Sequence, residues 1–240
     1  MSATYRQSSS LSAGMAQRDP ENRMFARGPR FRLDAEMLRD QALALGGLLT
    51  RKLGGPGVRP PQPDGLWLAV GYSGSNTVNF YPDEGDKIYR RSVYTFWKRT
   101  SPPPQMTAFD APSRESCTVQ RERTNTPMQA LLLLNEPQYV EAARCLAQRA
   151  WHEGGTTAET RAAFLFRQAA VRGANEGELK ELLSVYRDHL AEFKKSTDAA
   201  KALLAVGATK PDTSIPAAEL AAWTMVANLI LNLDEVITKG

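Results

Sequence analysis

The sequence predicts a mainly α fold: an irregular multi-helix domain with long Pro/Gly-rich loops and a minor β element near residues 66–100. Three observations lead there. From Thr126 onward, apolar residues recur at helical spacing between clear start and stop signals. Between residues 54 and 105, runs of proline and glycine break both helix and ladder. The closing stretch PAAELAAWTMVANLILNL is apolar nearly all round, as befits a helix buried in a core. With 42% hydrophobic and 23% charged residues, the 240-residue chain has an ordinary soluble composition and can bury a sizeable core. It reads as a single domain over 1–240. A helical segment covers 1–53, a loop-rich basic segment with short strands covers 54–125, and a helical segment covers 126–240.

Element by element, RDPENRMFARG predicts a short helix, with Asp19 as N-cap, Pro20 at the first helical position and Gly28 as the stop. RLDAEMLRDQALALGGLL predicts a second, whose apolar stripe is Leu33, Met37, Leu38, Leu45, Leu48 and Leu49. Arg32, Asp34, Glu36, Arg39 and Asp40 fall on its polar face. GGPGVRPPQPDG reads as an extended surface connection and lacks the Gly-Lys-Ser/Thr ending of a phosphate loop. KIYRRSVYTFWKR, rich in aromatic and β-branched residues after the turn YPDEGD, favours a strand, although Tyr89, Val93, Phe96 and Trp97 also fall on one helical face, and SPPPQ ends it.

The carboxy-terminal half is punctuated by caps. Thr126, Pro127 and Gln129 form a capping box, and a second start follows with Asn135 as cap and Pro137 in the first turn. The second helix presents Tyr139, Ala143, Leu146, Ala147 and Ala150 on one side and ends at Gly154 and Gly155. Thr156 with Glu159, and Asn175 with Glu178, box two more. The latter helix carries the stripe Leu179, Leu182, Leu183, Tyr186, Leu190 and Phe193 and closes on Lys194 and Lys195. TDAAKALLAVG predicts a shorter helix, and Pro216 opens the last.

Charge placement says more than the net charge of +4. Between Lys87 and Arg123 stand eight bases against three acids, a surplus of five, so the rest of the chain is close to neutral. Such a zone attracts phosphates, carboxylates or anionic polymers, or else pairs with local carboxylates. Cys117 and Cys145 form neither a metal-ligand pair nor a haem-attachment motif; they read as separate thiols, with one disulfide between them as the alternative in an oxidising compartment. His152 and His189 make no site by spacing, and no metal is expected. The opening MSATYRQSSSLSAG lacks the apolar core of a secretory signal. The most apolar run, Leu220–Leu231, is too short to span a bilayer.

The stretch FDAPSRESCTVQRERTNTPMQALLLLNEP holds the candidate polar network: Asp110, Arg114, Glu115, Arg121, Arg123, Gln129 and Asn135. As chemistry, Asp110 and Glu115 would be an acid–base pair, but no histidine stands near Cys117 and arginine is a poor proton carrier. As structure, the two acids hold Arg121 or Arg123 and fix the loop against the helix beginning at Pro127. Tyr89, Arg90, Arg91, Trp97, Lys98 and Arg99 form a candidate basic and aromatic surface. It suits phosphates or ring stacking, but no nucleic-acid module accompanies it and nucleic acid is not an expected partner.

DPENRMFARGPRFRLDAEMLRDQAL, LGGPGVRPPQPDGLW, the long phrase from Tyr89 to Arg144 and the closing WTMVANLILNLDEVITKG together resemble the planctomycete-type C-terminal domain of unknown function 1553. The resemblance implies the C-terminal part of a larger exported protein, N-terminally truncated here, with a periplasmic or extracellular location. It implies no cofactor in this chain, haem c in an upstream cytochrome c-type domain, and that domain or a separate protein as partner. The expected function is therefore a non-catalytic accessory or docking domain. One alternative is an extracytoplasmic hydrolase or redox enzyme acting on polysaccharide-like substrates; the other is an anion- or polymer-binding module. Catalysis requires Asp110 and Glu115 to converge in an open pocket, whereas docking requires arginine-bound acids and an exposed apolar patch beside the basic zone.

Overall fold

A computed structural model describes residues 2–3 and 6–239 of the chain. The chain is mainly helical, as predicted. The helices are α1 (Ala13–Arg18), α2 (Ala35–Leu45), α3 (Pro104–Thr107), α4 (Pro127–Asn135) and α5 (Pro137–Glu153), followed by α6 (Ala158–Ala170), α7 (Glu176–Lys195), α8 (Thr197–Leu204), α9 (Ala217–Leu231) and α10 (Asp234–Ile237). Two short strands, β1 (Phe31–Arg32) and β2 (Thr238–Lys239), pair antiparallel with Phe31 opposite Lys239.

Helix α9 is the centre. Pro216 starts it, and its alanines and leucines carry no polar face, so it is stable only when surrounded. It packs against α5, α7 and α8, burying Leu220, Trp223, Val226 and Ile230. Each such side chain contributes about 1.5–3 kcal/mol of burial. Trp223 stacks on Tyr186 of α7 with ring centroids 4.2 Å apart. Buried Asn228 donates from its amide to the Leu134 carbonyl at 2.9 Å, tying α9 to the end of α4.

A second core joins α2, α3, α4 and α5 through Leu38, Ala42, Met106, Phe109, Leu133 and Tyr139. Here α2 ends against α5 so closely that a Cβ at Gly46 would lie 2.8 Å from the Ala142 carbonyl oxygen. Between α2 and α3 the chain is held by buried Trp67, packed with Phe80 at 5.0 Å and Phe96 at 5.7 Å.

Several expectations are corrected. KIYRRSVYTFWKR is not a strand: it forms 3₁₀ turns at Gly85–Tyr89 and Ser92–Tyr94, with single parallel bridges Thr50–Arg90 and Val58–Thr95. The paired strands lie at β1 and β2 instead. The reason is competition for the backbone. Arg39 of α2 takes the Ile88 carbonyl at 2.6 Å and the Arg90 carbonyl at 3.0 Å, while Asp40 takes the Ser92 N–H at 2.7 Å. The proline-rich neighbouring segment also lacks the donors for a ladder. Arg39 therefore leaves the predicted polar face and is only 2% exposed, whereas Met37 of the predicted apolar stripe is exposed.

The predicted helix after Asp19 is a pair of turns; Asp19 accepts the Arg23 and Met24 N–H groups at 2.7 and 2.8 Å. The helix lies just before it, capped by Ser12. The cap of α5 is Glu136, not Asn135, because its longer carboxylate reaches the Gln138 and Tyr139 N–H groups. Thr157 with Thr160, not Thr156 with Glu159, boxes α6. The capping box at Asn175 and Glu178 stands as predicted.

Candidate functional site

The loop from Ala108 to Thr126 links α3 to α4. Asp110 sits in it with φ of 60°, a left-handed conformation that aspartate tolerates better than most residues. Its carboxylate accepts from Arg32 Nη2 at 2.5 Å, from the Thr124 N–H at 2.8 Å and from the Thr124 hydroxyl at 2.9 Å. Burial pushes the Asp110 carboxyl upward, but the Thr124 and Arg32 hydrogen bonds outweigh it and hold the group below its ordinary range. Arg32 also donates to the Thr124 carbonyl and to Gln129 Oε1.

Gln129 is the hub. Its Oε1 takes the Thr126 N–H at 3.2 Å, the reciprocal bond of the predicted capping box, and its amide reaches the Ala108 carbonyl at 2.9 Å and the Thr124 hydroxyl at 3.1 Å. The two ends of the loop are thus tied to one buried side chain at the start of α4.

Arg121 and Arg123 pin the middle. Arg121 donates to both oxygens of Glu36, and Asp34 lies 3.8 Å from the same guanidinium. Arg123 stands 3.7 Å from Asp34 and lies over the Phe31 ring at 4.5 Å. Burial raises the Glu36 carboxyl, yet the Arg121 hydrogen bond brings it below its ordinary value. The predicted partners are therefore exchanged. The arginines anchor to the start of α2, and Asp110 is neutralised by Arg32 from outside the basic segment.

The other predicted residues disperse. Arg114 covers the Trp97 ring at 4.4 Å, and Trp97 donates its indole N–H to the Ser113 carbonyl at 2.9 Å. Glu115 is exposed, 4.0 Å from exposed Arg99, and does not join Asp110. Asn135 donates to the Leu131 carbonyl at 2.8 Å inside α4. Arg91 pairs with Asp40 at 3.2 Å, and Lys98 donates to the Thr77 carbonyl at 2.7 Å while facing Trp67.

Tyr89 and Arg90 are not on a surface at all. Arg90 is buried, donating to the carbonyls of Lys52, Gly54 and Pro56. Tyr89 donates its hydroxyl to buried Glu141 at 2.8 Å, and burial followed by that bond pushes its pKa well up. His152 pairs with Asp212 at 2.8 Å and His189 with Glu192 at 3.5 Å. Cys117 and Cys145 are both free thiols. Among the described residues no three His, Cys, Asp or Glu side chains could hold a metal ion, and no helix is long and apolar enough to cross a membrane.

Sequence reasoning missed Arg39, Glu141 and Arg144, charges buried inside helices. Glu141 accepts from Tyr89 and from the Thr209 N–H and hydroxyl at 2.6 and 2.7 Å; Arg144 donates to the Thr209 carbonyl at 2.7 Å. Gly207 meets this pair at φ of 97°, where a Cβ would lie 2.5 Å from the Glu141 carboxyl carbon, so no side chain fits there.

What the anchored loop leaves open is the outer face of α4. Gln129 and Leu133 turn inward, but Met128 is 62%, Leu131 54% and Leu134 38% exposed, and Leu229 of the neighbouring α9 is 37% exposed. Nearby, Asn232 donates its amide to the Ala130 carbonyl at 3.2 Å. A family model described as "PSD1: Protein of unknown function (DUF1553)" matches residues 1–186, stopping before α9. No curated protein and no solved structure matches the chain.

Proposed function

Because the chain belongs to the family of proteins of unknown function DUF1553, we propose that it is a non-catalytic accessory domain that docks onto another protein domain through the apolar face of α4. The carrying observation is the row Met128, Leu131 and Leu134, three large apolar side chains left in solvent on a helix fixed at its start by Gln129 and at its end by Asn228. Isolated exposed leucines need no explanation, but a row on a rigid helix beside a further leucine is what an interaction surface offers. The basic zone supports this contact indirectly, since most of its cations already have partners and hold the loop that places α4.

The acid–base alternative lacks geometric support: Asp110 is engaged by Arg32 and Thr124, while Glu115 faces solvent. An anion-binding module would need free cations converging on one spot, and Arg90, Arg91, Arg121 and Arg123 are each engaged locally. The occupant we propose is an upstream or separate domain of the longer exported proteins that the sequence resembles, haem-bearing in those with a cytochrome c-type domain, outside the cytoplasm.

The test uses the purified chain and the domains preceding the DUF1553 domain in a full-length family protein, mixed and measured by calorimetry. Saturable binding weakened at least tenfold by Met128→Ser with Leu131→Ser, at unchanged unfolding midpoint, supports docking. Binding indifferent to that pair of changes overturns it.

A further inference from the structure

Between α1 and β1 the chain holds two large apolar side chains out in solvent: Met24 is 80% and Phe25 69% exposed. Ala26 beside them is exposed too. The loop is braced from within. Asp19, itself buried, accepts the Arg23 and Met24 N–H groups, and Asn22 donates to the Arg27 carbonyl at 2.7 Å while accepting the Arg27 N–H at 3.2 Å. Arg27 reaches back to the Asp19 and Pro20 carbonyls at 2.8 and 2.6 Å. At the base, Gly28 donates its N–H to the Ser8 carbonyl at 2.9 Å, and a Cβ there would lie 2.7 Å from the Gln7 carbonyl oxygen.

The brace strains the tip. Phe25 sits at φ of 52°, a left-handed conformation unfavourable for a bulky side chain, yet its ring stays largely in solvent. An aromatic held outward against its backbone preference suits a contact with something else. Leu11, exposed as well, lines the same concavity of about 680 Å³ as Phe25, so the two apolar groups border one depression.

The charges beside the tip are basic. Arg23 and Arg27 flank Met24, Phe25 and Ala26 in the chain, and Arg18 ends α1 just before the loop. Arg18 and Arg23 are exposed, and their side chains have no partner among the described residues. Asp19 is taken up by backbone N–H groups, which leaves Glu21 as the one outward acid of residues 18–28. An apolar tip without a hydrogen-bonding side chain, flanked by unpaired arginines, matches a partner that is apolar beneath an anionic surface.

We propose that residues 19–28 form a finger that docks on an anionic lipid surface, with Met24 and Phe25 entering the acyl boundary and Arg18 and Arg23 meeting lipid phosphates. This contact is separate from the docking face on α4.

The test is sedimentation of the full chain with vesicles of about three parts phosphatidylcholine to one part phosphatidylglycerol, and with vesicles of phosphatidylcholine alone. Saturable binding to the anionic vesicles is expected, roughly tenfold or more tighter than to the neutral ones. Phe25→Gly suits the left-handed backbone, so it should keep or raise the unfolding midpoint while weakening vesicle binding roughly tenfold or more. Met24→Ser removes apolar depth without touching the Phe25 backbone and should weaken binding as well. Arg18→Gln with Arg23→Gln should weaken it roughly tenfold or more. Absence of binding to the anionic vesicles overturns the proposal and leaves the finger to an apolar pocket on a protein. Binding unchanged in Phe25→Gly and Met24→Ser, unchanged in the arginine pair, or equal for both vesicles overturns it as well.

Discussion

Arg121 grips Glu36 with both terminal guanidinium nitrogens, at 2.6 and 3.0 Å, across 85 residues of sequence. This fork joins the loop before α4 to the first turn of α2, while Gln129 and Arg32 close the loop's ends. A segment rich in acids, arginines and a thiol is thereby converted from a reactive-looking stretch into a brace. The brace fixes α4 and leaves Met128 and Leu131 outward.

Gln129, at the start of α4, should be the costliest polar side chain among those that hold the loop. Gln129→Leu keeps the volume but strips the Ala108 carbonyl, the Thr126 N–H and Arg32 of a partner at one buried position. A loss of about 2–3 kcal/mol in urea unfolding is expected. A loss below about 0.5 kcal/mol would show that the loop holds itself.

Acid should loosen this loop and also the start of α7. The folded-state pKa values of Asp110 and Glu36 lie below their ordinary values, and that of Glu178, held first by Arg172, falls to about 2. The unfolded chain therefore binds protons first as pH falls, so these groups contribute stability above about pH 4 that is lost toward their folded values. Buried Glu136 runs the other way: its pKa is raised, so its contribution is present below about pH 4 and lost as pH rises through the folded value. Urea unfolding at about pH 6 and about pH 3 should show the net loss on the acid side, reduced in Asp110→Asn.

Val171 ends α6 in the left-handed region, φ 60°, with its β-branched side chain in solvent. Nothing but strain is given up by replacing it. Val171→Gly should stabilise the protein by about 1 kcal/mol, seen as a higher unfolding midpoint. A lower midpoint would mean that the side chain makes a contact worth more than the strain.

The outward apolar row should be indifferent to folding. Leu131→Ser, at 54% exposure, should shift stability by less than about 0.5 kcal/mol while reducing self-association at high concentration. Destabilisation of about 2 kcal/mol would place Leu131 in the core instead.

Much of this architecture is legible in the sequence because it is local. The capping boxes at Thr126 and Asn175 and the all-round apolarity of α9 are set within a few residues. The reading failed where distant side chains captured the backbone. Nothing in KIYRRSVYTFWKR announces that Arg39 and Asp40 will hold its carbonyls and amides, which turns a strand-like pattern into 3₁₀ turns. The candidate network shows the same limit: its residue types are visible, but their partners Arg32, Asp34 and Glu36 lie far away in the chain. The pairing of Glu141 and Arg144 inside α5 was hidden because charges three apart on a helix ordinarily face water.

The most direct measurement is a double-mutant cycle on Arg121 and Glu36 in urea. Arg121 is 34% exposed, so solvent screens the pair in part, but the bidentate geometry favours it. Arg121→Ala and Glu36→Ala should each destabilise the protein, with a coupling of about 1 kcal/mol between them. Zero coupling, with Arg121→Ala leaving stability unchanged, would contradict the brace and return the mid-chain arginines to the ranks of ligand-binding groups.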